Sequence, residues 1–230
     1  EGKILRRYRE EEARYDGYLY DYTATATACL DLYEATYEPH YIQTAHELML
    51  RVEDKFSNEN GTFHETASDG EELLVRQISG YDGVEPSGNS NAALTLLRLS
   101  AYLADPTLAL KAEKIFLNFS EELMEYGLNS AFMLQALHLH LGGLKEVAVI
   151  GKRNDPTTEE LLNTLRKGFY PNAVFAFVYE DEVENAAKTI PLLKNRQLVN
   201  GKATAYICRQ GACLSPVYNA EELVKLLSYE

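Results

Sequence analysis

Apolar residues in the first part of the chain recur with the spacing of an amphipathic helix. One stripe follows positions i, i+4, i+7, i+8, i+11 and i+15, and the same spacing returns 67 residues later. Pro39 and Pro106 precede the two stripes, near a helix start, where the missing N–H of proline has no intrahelical partner to lose. The sequence therefore predicts two related amphipathic helices. Their apolar positions are Tyr41, Ala45, Leu48, Met49, Val52 and Phe56, and then Leu108, Ala112, Ile115, Phe116, Phe119 and Leu123.

Each stripe is preceded by a segment that is apolar or small on nearly every face. These segments are 24–37 and 92–103, and 131–141 is a third. A helix that is apolar all round is buried on all sides. The alternation predicts αα-hairpins with an inner and an outer ring, a partial α/α toroid. An α-solenoid is the alternative, but solenoid helices usually keep one polar face, so we favour the ring.

Short β-prone runs interrupt and follow this helical pattern. The runs 61–66 and 72–77, separated by an Asp-Gly turn, predict a β-ribbon between the first two hairpins. After Gly142-Gly143, short β-rich runs alternate with helical stretches, which predicts a small α/β domain at 143–230 after a helical domain at 1–142. Its predicted strands are 146–150, 173–179 and 204–208, and its predicted helices are 157–167, 182–193 and 220–228.

Charge and composition narrow the class of partner. The chain carries 35 acidic and 22 basic residues, a formal net charge of −13 without a basic stripe, so its surface repels a phosphate backbone. The longest apolar runs are too short to cross a bilayer, and no signal-peptide pattern is visible. Three cysteines in 230 residues do not make a disulfide framework. We expect a cytoplasmic protein that binds neither nucleic acid nor membrane.

Several motifs resemble a known family. They are Leu19-Tyr20-Asp21-Tyr22, Leu32-Tyr33-Glu34-Ala35-Thr36, the run Asp82-Gly83-Val84-Glu85-Pro86-Ser87-Gly88-Asn89-Ser90, and Thr204-Ala205-Tyr206-Ile207-Cys208 with Cys213 beyond it. In this order and spacing the chain resembles the C-terminal portion of bacterial YyaL-like proteins and of the animal spermatogenesis-associated thioredoxin-like proteins. The resemblance implies a helical toroid similar to that of N-acylglucosamine 2-epimerases and six-hairpin glycosidases, with a thioredoxin-like domain upstream.

The chain departs from that family pattern by omission. It has no Cys-x-x-Cys motif. It also has only about five toroid helices, whereas a complete ring of six hairpins has twelve. These departures argue against a thioredoxin-type role for this chain. Because an incomplete ring leaves an apolar flank on its first and last buried helices, we expect a fragment of a longer thioredoxin-domain-containing protein, or a homo-oligomer.

Candidate chemistry gathers at the predicted starts of the inner helices. The repeat offset places Asp21-Tyr22 opposite Gly88-Asn89, so both pairs are expected at one rim of the cavity. Carboxylates, amides and aromatic rings are what sugar recognition needs. Alternatively, these residues have a structural role. Asp and Ser before a helix cap it and stabilise it by about 1 kcal/mol, and Pro-Ser-Gly is typical of a turn. The acid/base candidates are Glu85, Asp21 and His64, and the substrate-binding candidates are Asn89, Ser87, Asp82, Tyr22 and Arg76.

His64 and Arg76 depend on where the predicted ribbon lies. If the ribbon folds over the cavity, His64 is a suitable acid/base group because its ordinary pKa is near neutral. On a ribbon that lies elsewhere, His64 is a solvent-facing strand residue.

Cys208 and Cys213 bracket Gly211 and can meet across a turn. The pair is a candidate redox disulfide or half of a metal site. No second cysteine pair or neighbouring histidine completes a zinc site, so no metal is expected. Alternatively, both are small buried residues on either side of a tight loop.

These observations lead to two functional hypotheses. The first is a carbohydrate-processing scaffold, epimerase-like or glycosidase-like, that takes a sugar ligand and no cofactor. The second is a non-catalytic interaction domain that docks a thioredoxin-like or toroid segment. An open, carboxylate-lined pocket at the Asp21/Asn89 rim favours the first hypothesis, and a rim filled by its own side chains favours the second.

Overall fold

The computed structural model describes residues 2–209 and 211–228, which form a mainly α-helical molecule with two small sheets. The helices are α1 (Leu19–Thr36), α2 (His40–Phe56), α3 (Gly88–Tyr102), α4 (Pro106–Asn118), α5 (Ser120–Tyr126), α6 (Ala131–Gly142), α7 (Pro156–Lys167), α8 (Val183–Thr189) and α9 (Ala220–Ser228). The strands are β1 (Leu5–Arg9), β2 (Glu12–Asp16), β3 (Lys145–Gly151), β4 (Ala173–Tyr179), β5 (Thr204–Arg209) and β6 (Ala212–Cys213). Among these described residues, no helix combines the length and apolar character that crossing a bilayer requires.

The internal repeat folds as two helical hairpins, α1–α2 and α3–α4. Asp105 starts α4, because its carboxylate accepts the N–H of Thr107 at 2.9 Å and Pro106 occupies the first turn. The predicted stripe on α2 is confirmed as its buried face, and so are the first four positions of the second stripe on α4. The second stripe then crosses a break that the sequence did not predict, because Phe119 follows the end of α4 and Leu123 lies on α5. Tyr41 and Leu123, at the outer ends of the two stripes, are half-buried and pack against the core.

Three helices form an inner row in which α3 lies between α1 and α6. Nearly every side chain of α3 is buried. Its first residue is Gly88, where a Cβ would lie 2.5 Å from Leu19 Cγ, so the two helix starts can approach this closely only at a glycine. Further along the contact, the hydroxyls of Thr27 and Thr95 are 2.8 Å apart. The prediction of a buried inner helix is confirmed for α3, and closure of the row into a ring stays a prediction.

The two outer helices of this row each keep an exposed face. On α1 the exposed side chains form one face, which we call the α1 flank: Thr25, Ala28, Asp31, Leu32, Ala35 and Thr36. On α6 the corresponding α6 flank consists of Ala131, Leu134, Gln135, His138 and Leu141. Leu32 is 44% exposed, Leu134 37% and Leu141 73%. Both outer helices of the row thus keep exposed apolar side chains, which are interspersed with polar ones.

The predicted β-ribbon between the hairpins is wrong. The two runs are joined by a backbone bond from Glu65 N to Gln77 O at 2.8 Å, but neither run forms a strand. The guanidinium of Arg76 donates to the carbonyls of Thr66 and Lys55. These side-chain bonds replace strand pairing, so the segment packs as an irregular connection against the ends of α1 and α3.

A two-stranded sheet lies instead at the beginning of the described chain, where no strand was predicted. β1 and β2 pair antiparallel, with Arg7 opposite Arg14. Every residue of both strands is exposed, so the hydrophobic alternation that marks a strand in a sequence is missing. Gly17 and Tyr22 hold the hairpin to α1 through bonds to the backbone of Ile4.

The second sheet has the strand order β4-β3-β5-β6. β3 runs parallel to β4 and antiparallel to β5, so the three predicted strands pair with one another. Val147 and Val149 point to a core shared with α7 and α9, whereas Ala148 and Ile150 belong to the core of the helices. The sheet is therefore covered on both faces, and the helical core continues into it without interruption.

Candidate functional site

Asp82 and Ser87 start two helices. Asp82 Oδ1 accepts the Ser87 N–H at 2.8 Å, and its Oδ2 accepts the N–H groups of Phe132 and Met133 at 2.8 and 3.1 Å. Ser87 Oγ accepts the Ser90 N–H at 3.0 Å and so caps α3. Asp82 therefore joins the starts of α3 and α6, and both polar side chains are engaged by backbone donors.

Asn89 is buried and bound on both sides of its amide. Its Oδ1 accepts the Phe63 N–H at 2.9 Å, and its Nδ2 donates to the carbonyls of Phe63 and Ser79 at 3.0 and 2.9 Å. An amide has two donors and one acceptor oxygen, so both donors of Asn89 are used. The residue fastens the connection between the hairpins to the start of α3.

His64 and Arg76 bind the backbone of the same connection. His64 Nδ1 lies 3.1 Å from the Arg76 carbonyl oxygen, which can only accept a hydrogen bond, so Nδ1 carries the proton. Arg76 donates to Lys55 O at 3.0 Å and to Thr66 O. The structure brings these two residues together, as predicted for facing runs, but their polar groups bind main-chain atoms.

Asp21 and Tyr22 hold the first hairpin to α1. The Asp21 carboxylate accepts the Tyr18 N–H at 2.7 Å and pairs with Arg6 at 3.1 Å. The Tyr22 hydroxyl accepts from Ile4 N at 3.0 Å and from Arg51 Nε at 3.3 Å. Both residues lie at the start of α1, where the repeat predicts them.

Glu85 lies on an exposed turn before α3. The starts of α1 and α3 are adjacent, as the Gly88–Leu19 contact requires. None of the eight predicted site residues, however, lines the main cavities among the described residues. A cavity of about 570 Å³ lies beside the start of α1, where Arg6, Tyr18 and Thr66 line it, but the predicted residues themselves do not.

Another cavity, of about 580 Å³, lies beside the second halves of α1 and α3, where the sheet and α7 meet them. Its charged wall contains a network around Arg98. Arg98 Nη1 is 2.6 Å from Asp31 and its Nη2 is 3.2 Å from Glu34, while Tyr102 Oη donates to Glu34 at 2.5 Å. These contacts link α1 to α3 at separations of 67 and 68 residues, the first equal to the repeat offset and the second one residue longer.

Burial and charge together set the protonation of this network. Burial opposes the charge of Arg98, but the neighbouring Glu34, Tyr102 and Asp31 outweigh it and raise the pKa of the guanidinium. Burial and the Glu34 charge raise the pKa of Tyr102 well above its usual value, so the phenol remains a donor. The network therefore consists of one cation held between two carboxylates. Beside it, on the wall of the same cavity, burial also raises the pKa of Tyr37 to about 12.

Aromatic and aliphatic side chains form the rest of the cavity wall. Tyr37, Tyr170 and Phe175 contribute rings, and Arg166 lies 5.7 Å from the Tyr37 ring centroid. Carboxylates beside aromatic faces can bind a small, neutral, hydroxylated molecule. The sequence prediction missed this cavity, although one signal was present: Arg98 is a charged residue inside an otherwise apolar helix.

Cys208 and Cys213 form a disulfide that joins β5 to β6. The predicted pair therefore meets across the turn. Cys29 is a free thiol buried in α1. Within the described part of the chain, no three His, Cys, Asp or Glu side chains are grouped in a way that would hold a metal ion.

The chain is similar to part of a longer animal protein. No known protein-family signature matches it. It is 30% identical over 213 residues to spermatogenesis-associated protein 20 of Homo sapiens and 31% identical over 214 residues to that of Rattus norvegicus, in each case over 92% of this chain. An uncharacterised protein of Caenorhabditis elegans is 29% identical over 90% of the chain. The chain spans about 27% of the length of the mammalian relatives.

Proposed function

We propose that this chain is a helical docking domain of a protein in the family of spermatogenesis-associated protein 20. Its α1 and α6 flanks pack against further helices of the same, longer polypeptide. The observation that carries the proposal is the group of exposed apolar side chains on the two flanks at the ends of the inner row, where Leu32 and Leu141 are 44% and 73% exposed. Large contiguous apolar patches are uncommon on monomeric proteins and mark interaction surfaces.

Chain length supports this choice of occupant. The mammalian relatives match nearly all of this chain, yet the match covers only 27% of their own length. Each additional inner helix would bury one flank, as α3 buries the opposite faces of α1 and α6. Burial of apolar surface contributes about 25 cal/mol per Å². Covering the flanks with helices of the same polypeptide therefore stabilises both partners.

The arrangement of the polar residues also favours docking over chemistry at the predicted rim. Asn89, Asp82, Ser87 and Tyr22 each bind backbone groups of the fold. A side chain whose hydrogen bonds are already used holds the scaffold together and has little capacity left for a ligand. The rim then supports the inner helices, and their flanks carry the interaction.

Two measurements test the docking proposal: the mass of the protein in its source cells and the maleimide labelling of introduced cysteines. An antibody raised against this chain is expected to detect a protein several times heavier than 25.9 kDa in the source cells. In that full-length protein, Ala28→Cys and Leu134→Cys are expected to react slowly with maleimide. Leu50→Cys, on the exposed face of α2, provides the matched control and is expected to react fast. A 25.9 kDa band, or equal labelling at all three positions, would overturn the proposal.

A second candidate function, carbohydrate binding or processing, rests on the cavity around Arg98. Its wall combines the rings of Tyr37, Tyr170 and Phe175 with Asp31 and Glu34, each of which binds Arg98 through only one carboxylate oxygen. A pyranose presents hydroxyls at its edge and C–H groups on its face, which match carboxylates and aromatic rings. The cavity volume of about 580 Å³ is within the range of small-molecule sites.

A thermal-shift screen of monosaccharides and disaccharides tests this second candidate. Binding to the native state raises the melting temperature, so at least one sugar is expected to stabilise the protein. Glu34→Gln is expected to abolish that shift, whereas Glu47→Gln on the exposed side of α2 keeps it. A screen in which no sugar shifts the wild-type protein removes this candidate and leaves the docking proposal standing.

A further inference from the structure

The Cys208–Cys213 disulfide lies at an accessible edge of the second sheet. β6 is the last strand in the order β4-β3-β5-β6, and Cys213 on this edge strand is exposed. Cys208, its partner on β5, is buried. An incoming thiolate can therefore reach the sulfur of Cys213, and the sulfur of Cys208 is the protected leaving group.

Arg196 lies against both sulfur atoms. Its Nη2 is 3.2 Å from Cys208 Sγ and 3.4 Å from Cys213 Sγ. A disulfide sulfur is a weak and neutral acceptor, so it does not compensate a guanidinium charge. Within residues 2–209 and 211–228, Arg196 forms no ion pair, and its buried Nε has no hydrogen-bond partner. A thiolate formed at either cysteine would supply the anion that this cation lacks.

We propose that Cys208 and Cys213 form a thiol–disulfide exchange centre, with Arg196 as the residue that stabilises the thiolate. The thiolate of an external dithiol attacks Cys213 Sγ, the bond between the two protein sulfurs breaks, and Cys208 leaves as a thiolate beside Arg196. The second thiol of the dithiol then attacks the mixed disulfide and releases Cys213. Two electrons and two protons pass to the protein, and the dithiol becomes a disulfide.

The other groups around the centre define its charge balance. Glu146 on β3 is paired in register with Cys208, so both side chains lie on the same face of the sheet. Burial raises the pKa of the half-buried Glu146 carboxyl, and Arg196 lowers it, which shows that the two charges influence each other. The ring of Tyr206 lies 4.8 Å below the guanidinium. Of these two neighbours, Glu146 carries the negative charge that competes with a thiolate for Arg196.

A titration of the reduced protein tests the role of Arg196. The absorbance of thiolate is followed against pH after reduction with dithiothreitol, with circular dichroism as the check that the fold is kept. At least one thiol is expected to titrate below the ordinary cysteine pKa near 8.5. Arg196→Ala returns it toward the ordinary value, Arg196→Lys restores part of the effect, and Lys194→Ala is the control with no change, because exposed Lys194 does not contact the sulfurs.

Equilibration with dithiothreitol and with glutathione redox buffers provides the second readout. Losing the thiolate-stabilising cation favours the disulfide, so Arg196→Ala is expected to shift the equilibrium constant about tenfold, or about 30 mV for this two-electron couple. Lys194→Ala is expected to leave it unchanged. The proposal fails if the reduced protein unfolds, if its thiols titrate at 8.5 or above in the wild type, or if Arg196→Ala changes neither measurement.

Discussion

Asn89 and Glu85 are four residues apart, and the structure gives them opposite environments. Asn89 is buried and binds the backbone of Phe63 and Ser79, whereas Glu85 is exposed on a turn. Sequence composition cannot separate these cases, because capping residues and sugar-binding residues are drawn from the same set of carboxylates, amides and hydroxyls. The repeat thus predicted that Asp21 and Asn89 lie at helix starts, but the hydrogen-bond partners of the rim residues depend on a connection with no regular secondary structure.

Replacing Asn89 by alanine measures how much its hydrogen bonds contribute to the free energy of unfolding. Asn89→Ala leaves the Phe63 N–H and two carbonyls without partners, and each buried unsatisfied group costs about 1–3 kcal/mol. We expect a loss of about 2–4 kcal/mol in the free energy of unfolding by urea denaturation. Glu85→Ala is the control and is expected to change it by less than about 0.5 kcal/mol. An Asn89→Ala variant as stable as the wild type would contradict this structural role.

Glu65 links stability to pH. Burial raises the pKa of its carboxyl from the ordinary value of 4.5, and its buried Oε1 has no partner within the described residues. Below pH 4.5 the group is protonated in both the folded and unfolded states, so folding carries no penalty. As pH rises through 4.5 and then the raised folded pKa, the unfolded state ionises more readily and stability is lost.

Glu65→Gln is therefore expected to raise the melting temperature at pH 7 and to leave it nearly unchanged at about pH 3.5, where the wild-type carboxyl is neutral. Glu59→Gln, at an exposed position, is the control at both pH values. A stabilisation of equal size at both pH values would show that shape, and not charge, is responsible.

The elements that could be predicted from the sequence are those whose burial follows a regular period. α2, α4 and the strands β3, β4 and β5 each bury one face or lie inside the molecule, so their apolar residues recur at 3.6 or two residues or form a continuous run. β1 and β2 are exposed throughout, so their sequences carry no periodic pattern of apolar residues. The network of Asp31, Glu34 and Arg98 was missed because Arg98 was the one sequence signal for it, and only helix packing brings the two carboxylates to that residue.

The contact between the starts of α1 and α3 makes a prediction at the scale of elements. A Cβ on Gly88 would lie 2.5 Å from Leu19 Cγ, so Gly88→Ala forces the helices apart and is expected to cost about 1–3 kcal/mol. Gly142→Ala is the control, since nothing lies within 4 Å of its Cβ position. In a double-mutant cycle, Leu19→Ala should relieve part of the Gly88→Ala penalty. Additive losses would mean that the two residues do not meet.

At the scale of the whole molecule, the sheet and the helices share one apolar core. Ala148 and Ile150 on β3 and Val174 and Ala176 on β4 are buried together with side chains of the helical hairpins. The opposite face of the sheet packs on α7 and α9 and forms a second cluster. Separating the helical part from the sheet would therefore expose an apolar face on each.

This shared core predicts a single unfolding transition, although the sequence suggested domains at 1–142 and 143–230. Loss of either part removes the apolar cover of the other, so a partly unfolded state is disfavoured. Calorimetry is expected to show one peak whose calorimetric and van't Hoff enthalpies agree. Ile150→Ala leaves a cavity at the junction and should lower the free energy of unfolding in that one transition by about 2–5 kcal/mol. Val224→Ala on the exposed side of α9 should have little effect. Two separate transitions, of which Ile150→Ala lowers only one, would show that the two parts are independent folding units.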